Sequence, residues 1–279
     1  MTASAIDADA RNNPGLPDGM TRYAACVEYD GSLFFGWQRQ DGQRTVQGAV
    51  EQAISFVANH PVAVVCAGRT DSGVHASAQI IHFDSTARRS AFNWVRGVNT
   101  RLPEGVCIHW VLQVDHDFHA RFKALRRRYR YIILNQSVHP GLFRNNVSFE
   151  YRSLQLEPMI EAAEYFVGRH DFSAFRAAAC QSKNPVKTLY RLDLERSGRW
   201  LWLDLEADGF LHHMVRNIAG TLLHIGAGER SVFWAKEVLS SGDRRLAAAT
   251  ASASGLYLVG VDYDSVYKLP SPPESPSFW

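Results

Sequence analysis

The sequence has little that would mark export, metal storage or redox chemistry. Its four cysteines, Cys26, Cys66, Cys107 and Cys180, lie 40, 41 and 73 positions apart. There is thus no CxxC pair and no metal-ligand spacing, and the cysteines read as reduced thiols of a cytoplasmic protein. No run approaches the ~18 consecutive apolar residues of a membrane-crossing helix, and the first residues lack the basic and apolar regions of a signal peptide. Neither sign of charge dominates: 30 Lys and Arg against 28 Asp and Glu leave a net +2, too mild to mark the whole chain as a polyanion binder. Also missing are a GxxxxGK(S/T) phosphate loop, a GxGxxG turn after a strand, HExxH and GxSxG, so nucleotide energy and redox cofactors have no recognisable seat.

What is present fits a packed globular protein: 279 residues, 46% hydrophobic and 21% charged, enough for one large domain or two smaller ones. Asn12, Asn13, Pro14, Gly15, Pro17 and Gly19 predict a flexible leader over 1–20, and Pro270, Pro272, Pro273 and Pro276 an extended tail over 269–279. Between them, strands are expected at 22–29, 62–66, 79–83 and 106–114. Val46, Val50, Ala53, Ile54 and Val57 recur at helical spacing behind Thr45, and a weaker helix falls near 91–99. The second half repeats the pattern, with strands at 129–134, 186–195, 200–206 and 256–261 and helices at 158–167 and 211–226. The expected fold is α+β: two pseudo-duplicated halves of the split β-α-β kind, with mainly antiparallel sheets flanked by helices and a cleft between them. The halves are placed at 21–117 and 118–268.

Three stretches are candidates for chemistry. Arg69-Thr70-Asp71-Ser72-Gly73 joins two apolar strands. Such a stretch is commonly only a turn, but an aspartate beside a guanidinium is oriented by charge-assisted bonds and suits a nucleophile. The Asp-Ser-Gly tripeptide also matches an aspartic-protease loop, yet such an enzyme needs two of them and no second one exists here. The segment 121–130 carries Arg121, Lys123, Arg126, Arg127, Arg128 and Arg130 with no acid, interleaved with Phe122 and Tyr129. Clustered cations among stacking rings favour RNA or DNA binding over a merely solvated strand face. Alternation places Tyr129 and Tyr131 on one face and Arg128 and Arg130 on the other. His212, His213, Arg216 and Asn217 lie off the apolar stripe of the expected helix 211–226. Adjacent histidines diverge by about 100° on a helix, which argues against a shared metal and leaves Arg216 as the active-site or RNA-facing residue.

Together these residues resemble the tRNA pseudouridine synthase A family. The resemblance rests on Cys66-Ala67-Gly68-Arg69-Thr70-Asp71-Ser72-Gly73-Val74-His75-Ala76, Tyr29-Asp30-Gly31 with Gly36-Trp37-Gln38, Phe118 to Phe122, and Arg127 to Tyr131. Further matches are Asp171-Phe172 with Phe175-Arg176, His212 to Asn217, and Gly255 to Leu258. Ser72 and Ala78 stand where that family more often has Ala and Gly. The resemblance implies isomerisation of uridine to pseudouridine at tRNA positions 38, 39 and 40 by a homodimer without cofactor or metal. It also implies that Asp71 is the nucleophile, that Arg69 helps displace the target nucleotide, that Tyr129 stacks on the uracil, that Arg216 pairs with Asp71 and that Leu256 lines the pocket. The alternative is a non-catalytic RNA-binding protein with a recognition-type sheet.

Overall fold

In the computed structural model, which describes residues 19–180 and 182–279, the first half contains β1 (Thr21–Tyr29), α1 (Val46–Ala58), β2 (Val64–Cys66), β3 (His75–Ser85), α2 (Ala91–Asn99) and β4 (Val106–Gln113). The leader expected over 1–20 lies almost wholly outside the described residues. β1 is buried along most of its length because it has an antiparallel partner on each side, β3 and β4. α1 starts where its apolar spacing predicts, with Thr45 Oγ1 accepting the Gly48 N–H, and it buries Val46, Val50, Ala53 and Ile54. Ser90 caps α2 in the same way. The Trp94 ring of α2 is fully buried, 5.4 Å from Tyr23 and 5.3 Å from Phe83, and aromatic pairs at such spacing add packing energy beyond their area.

The second half contains β5 (Arg126–Asn135), β6 (Ser148–Glu150), α3 (Leu156–Glu164), β7 (Gly168–Asp171), β8 (Val186–Ser197), β9 (Trp200–Ala207), α4 (Met214–Gly226), α5 (Trp234–Ser241) and β10 (Leu256–Asp262). Strand order is the same in both halves. The first runs β4-β1-β3-β2 and the second β10-β5-β9-β8, with β7 added at the edge. This is the split β-α-β order used twice. The halves share one ten-stranded sheet, because β2 covers only residues 81–83 of β3 and leaves its start open. β10 pairs there in parallel, Tyr257 with His75 and Leu258 with Ala76.

Several boundaries differ from the sequence reading. β3 begins at His75 rather than 79, since His75, Ser77 and Gln79 are polar yet buried and so break the apolar pattern. α3 begins at Leu156 and keeps Pro158 in its first turn, where a missing N–H costs nothing. β6, β7 and α5 have no sequence signal: Gly168–Asp171 contains no apolar residue, and α5 buries only Ala235 and Val238.

The sheet is covered unequally. One face carries the main core under the helices, including Tyr131, Leu203, Leu205 and Leu258. The other holds a smaller cluster of Ile132, Leu134, Trp200, Trp202, Tyr257 and Val259. Residues 268–279 form no helix or strand, and they cross this second face. Trp279 stacks on Trp202 at 3.9 Å, and Arg130 Nη1 donates to the Pro276 carbonyl. The segment between the halves is tied down by Arg22, which forms a bidentate pair with Asp84 and donates to the carbonyls of His116 and Phe118.

Beside that anchor, His82 accepts the Ala120 N–H on Nδ1, and burial pushes its pKa from 6.5 down to about 3. Between those values the unfolded chain binds a proton that the folded chain refuses. This contribution to stability is therefore full above about pH 6.5 and is lost as pH falls toward about 3. Between pH 7.5 and pH 5, urea unfolding of the wild type should lose ~2 kcal/mol more than that of His82→Asn, whose amide oxygen can still accept the Ala120 N–H.

Candidate active site

The loop between β2 and β3 is held from below by groups that sit deep in the first half. Gln79 is fully buried, and its Nε2 donates to the Gly68 carbonyl at 2.6 Å. Tyr29 and Thr70 share a hydroxyl hydrogen bond of 2.7 Å, and the Trp37 N–H donates to the Thr70 carbonyl. The Val74 N–H closes the turn onto the Asp71 carbonyl. Gly36 lies against this turn with φ of 81°, and a Cβ there would stand 2.9 Å from the Thr70 oxygen. These contacts fix the backbone of Asp71 and turn its side chain toward the second half.

Three side chains from the second half meet that carboxylate. Arg216, in the first turn of α4, donates from Nη1 to Asp71 Oδ2 at 3.2 Å, while its Nε is committed to the Ala251 carbonyl at 2.8 Å. His212 Nε2 lies 3.1 Å from Oδ1, and His213 Nε2 lies 3.3 Å from Oδ2. Asp71 also sits near the amino end of α4, where the helix dipole favours negative charge. Burial, followed by the charges of His212, Arg216 and Arg244, lowers the pKa of His213, and Asp71 opposes that shift. The balance disfavours the protonated form of His213.

The sequence reading singled out Arg216 but placed both histidines inside a helix starting at 211. α4 starts at Met214, and His213 precedes it as a left-handed residue with φ of 64°. The helical divergence of 100° does not apply to such a residue. The rings instead lie 4.0 Å apart and reach the same carboxylate. The donor atoms of Asp71, His212 and His213 lie within 4.8 Å of one another. The Arg216 guanidinium already on Oδ2 makes this a poor seat for a divalent cation.

Tyr129 and Leu256 lie on the same face of the sheet. Tyr129, on β5, is nearly buried, packs edge-on against Phe210 at 5.0 Å, and has its hydroxyl pKa pushed up by burial. Leu256 opens β10 opposite Tyr131, on the Tyr129 face of the sheet. Arg69 is exposed and lies two residues before Asp71.

The basic segment is divided rather than gathered on one surface. Arg127 turns inward and donates to the carbonyls of Ala67, Arg121 and Asp208. Arg126, Arg128 and Arg130 face the other way and pair with Glu206, Asp262 and Asp204 respectively. Lys123 pairs with Asp117, and Arg121 lies over the Phe122 ring. Only the Arg130–Asp204 pair is enclosed, at 15% and 12% side-chain exposure; the pairs of Arg126, Arg128 and Lys123 lie closer to solvent.

A family model described as tRNA pseudouridine synthase matches residues 25–123 and 162–264. The chain is similar to proteins named tRNA pseudouridine synthase A. That of Alcanivorax borkumensis is 53% identical over 258 residues, covering 92% of this chain and 97% of the relative. That of Coxiella burnetii is 49% identical over 259 residues, covering 93% and 99%, and that of Vibrio cholerae 47% over 257 residues, covering 92% and 97%.

Replacing Gly36 by alanine tests how the loop is held. The left-handed backbone and the contact with Thr70 both resist a side chain there, so Gly36→Ala should lower the unfolding free energy by ~2 kcal/mol in a urea titration. A far smaller loss would mean that the loop yields at no cost.

Proposed function

This chain belongs to the tRNA pseudouridine synthase family, and we propose that it converts uridine to pseudouridine at positions 38, 39 and 40 of the tRNA anticodon arm, acting in the cytoplasm as a homodimer without a cofactor. The observation that carries the reading is the Asp71 carboxylate, presented by the β2–β3 loop and met by Arg216 from the other half. Within this reading Asp71 is the nucleophile. Arg69 helps the target nucleotide out of its stack, Tyr129 stacks on the uracil, and Leu256 closes the apolar side.

The chemistry matches those groups. The bond from N1 to the ribose breaks, the uracil turns, and a bond from C5 to the ribose forms. The proton leaving C5 is balanced by one gained at N1, so substrate and product have the same atoms, and no oxidant, reductant or energy donor enters. A carboxylate serves this as a nucleophile toward the ribose or the base. Removing the base from its stack costs a few kcal/mol, and stacking on Tyr129 offsets ~1–3 kcal/mol of that.

Asp71→Asn should abolish tritium release from tRNA carrying 5-tritiated uridine while leaving tRNA affinity within about threefold, since the amide keeps the shape and loses the nucleophile. Absence of release from unmodified tRNA with the wild type would remove the enzymatic reading altogether.

In the same reading, the solvent-facing cations of the basic segment exchange their acidic partners for phosphates, since exposed ion pairs hold little energy. Arg126→Gln should weaken tRNA binding and reduce the slope of log affinity against log salt by about one. Arg130→Gln should instead cost stability, about 1–2 kcal/mol in a denaturant titration, because it leaves the enclosed Asp204 with only Arg191, 3.9 Å away, as a cation.

A further inference from the structure

His212 and His213 are not buried packing residues, and although His213 stands at the N-cap of α4 its side chain makes no cap hydrogen bond. His213 adopts a left-handed backbone that costs a non-glycine residue of order 1–3 kcal/mol, and such strain collects at functional sites. The backbone of His212 is pinned on both sides: its N–H donates to Cys180 Sγ at 3.4 Å and its carbonyl accepts from the Ala177 N–H at 3.0 Å. The result of strain and pinning together is that two imidazoles and one guanidinium share the two oxygens of Asp71.

The sharing is unequal. Oδ2 has two neighbours, Arg216 at 3.2 Å and His213 at 3.3 Å, whereas Oδ1 is approached by His212 at 3.1 Å. Side-chain exposure rises from 15% for Arg216 through 27% for His213 to 36% for His212. Oδ2 is therefore the anchored oxygen, and the group beside Oδ1 is the one freest to swing aside.

We propose that His212 and His213 are positioning residues for Asp71: His213 and Arg216 fix Oδ2, and His212 gates Oδ1, the oxygen presented to the ribose or the base. The proposal rests on the reading of Asp71 as nucleophile and adds which oxygen reacts and what controls it. It also sets a pH response. The groups facing the two rings are Asp71 from the β2–β3 loop, Arg216 from α4, Arg244 from the segment after α5, and Cys180. With the His213 ring unprotonated, Asp71 is paired with one cation. Protonating His213 places a second positive charge against the carboxylate and blunts its nucleophilicity. The rate should fall on the acid side as His213 gains its proton.

The test is the single-turnover rate of pseudouridine formation on saturating unmodified tRNA from about pH 5 to 9, for the wild type, His212→Gln, His213→Gln and the two alanine variants. Glutamine keeps a neutral N–H donor but cannot titrate. Both glutamine variants should lose about three- to tenfold in rate, with tRNA affinity within about threefold, and His213→Gln should also carry an acid limb at least about half a unit lower than the wild type. The alanine variants should lose about tenfold to a hundredfold. A His213→Gln variant that keeps the wild-type acid limb, or a His212→Ala variant that keeps the wild-type rate, overturns the arrangement. An inactive wild type overturns the nucleophile reading and the gate together, whereas active wild type with unmoved profiles removes the gate alone.

Should a variant not fold, nitrogen-15 NMR of labelled histidine in the wild type and in Asp71→Asn decides the matter. Loss of the carboxylate charge should lower the titration midpoint of His213, which Asp71 raises, and an unmoved midpoint overturns the arrangement.

Discussion

The contact between Asp71 and Arg216 spans 145 positions of sequence and joins the two halves of the molecule at one carboxylate. Each partner is held by its own half before they meet. Gln79, Tyr29 and Trp37 fix the loop that bears Asp71, and the Ala251 carbonyl fixes the guanidinium of Arg216. An ion pair between two flexible side chains would give little, since ordering them costs much of what the charges return. Here the ordering is already done by the surrounding packing, so the pair orients the carboxylate instead of merely decorating a surface.

This arrangement explains why the fold is used twice. Either half alone offers a sheet, the helices that cover it and one side of the site. Fusing them along β3 and β10 brings the loop before β3 beside the start of β10, and the amino end of α4 falls over both. The join is short, two residue pairs in parallel, and it is reinforced by Arg22 beneath the connecting segment. β5 then carries Tyr129 toward the site on one face and Arg130 toward the carboxy-terminal residues on the other. One strand thus serves both the reacting side and its backing.

Much of this was legible in the residues. Apolar spacing located α1 to the residue, and the β-α-β-β-α-β order of both halves followed from where periodicity changed. Asp71 stood out through the guanidinium two residues before it, and Arg216 through its place off the apolar stripe of the expected helix. The missing parts share a cause, which is that they depend on neighbours remote in sequence. His75 and Gln79 look unlike a buried strand because their partners, the Gly31 N–H and the Gly68 carbonyl, lie in loops. The two histidines could be placed only once the left-handed turn at His213 was known. The six cations at 121–130 read as one surface because the acids that meet Arg126, Arg128 and Arg130, namely Glu206, Asp262 and Asp204, reach them through strand register, which the sequence does not display.

The position of β10 has a bearing on how the chain reaches this state. Residues 75 and 76 at the start of β3 have a bare ladder edge until Tyr257 and Leu258 of β10 arrive from the far end of the second half. A first half that folds as soon as it is synthesised would carry that bare edge through the making of well over a hundred further residues. Unpaired edges invite pairing with other chains. In this stretch the finished sheet buries a histidine and a serine, His75 and Ser77, which are poor material for such intermolecular pairing.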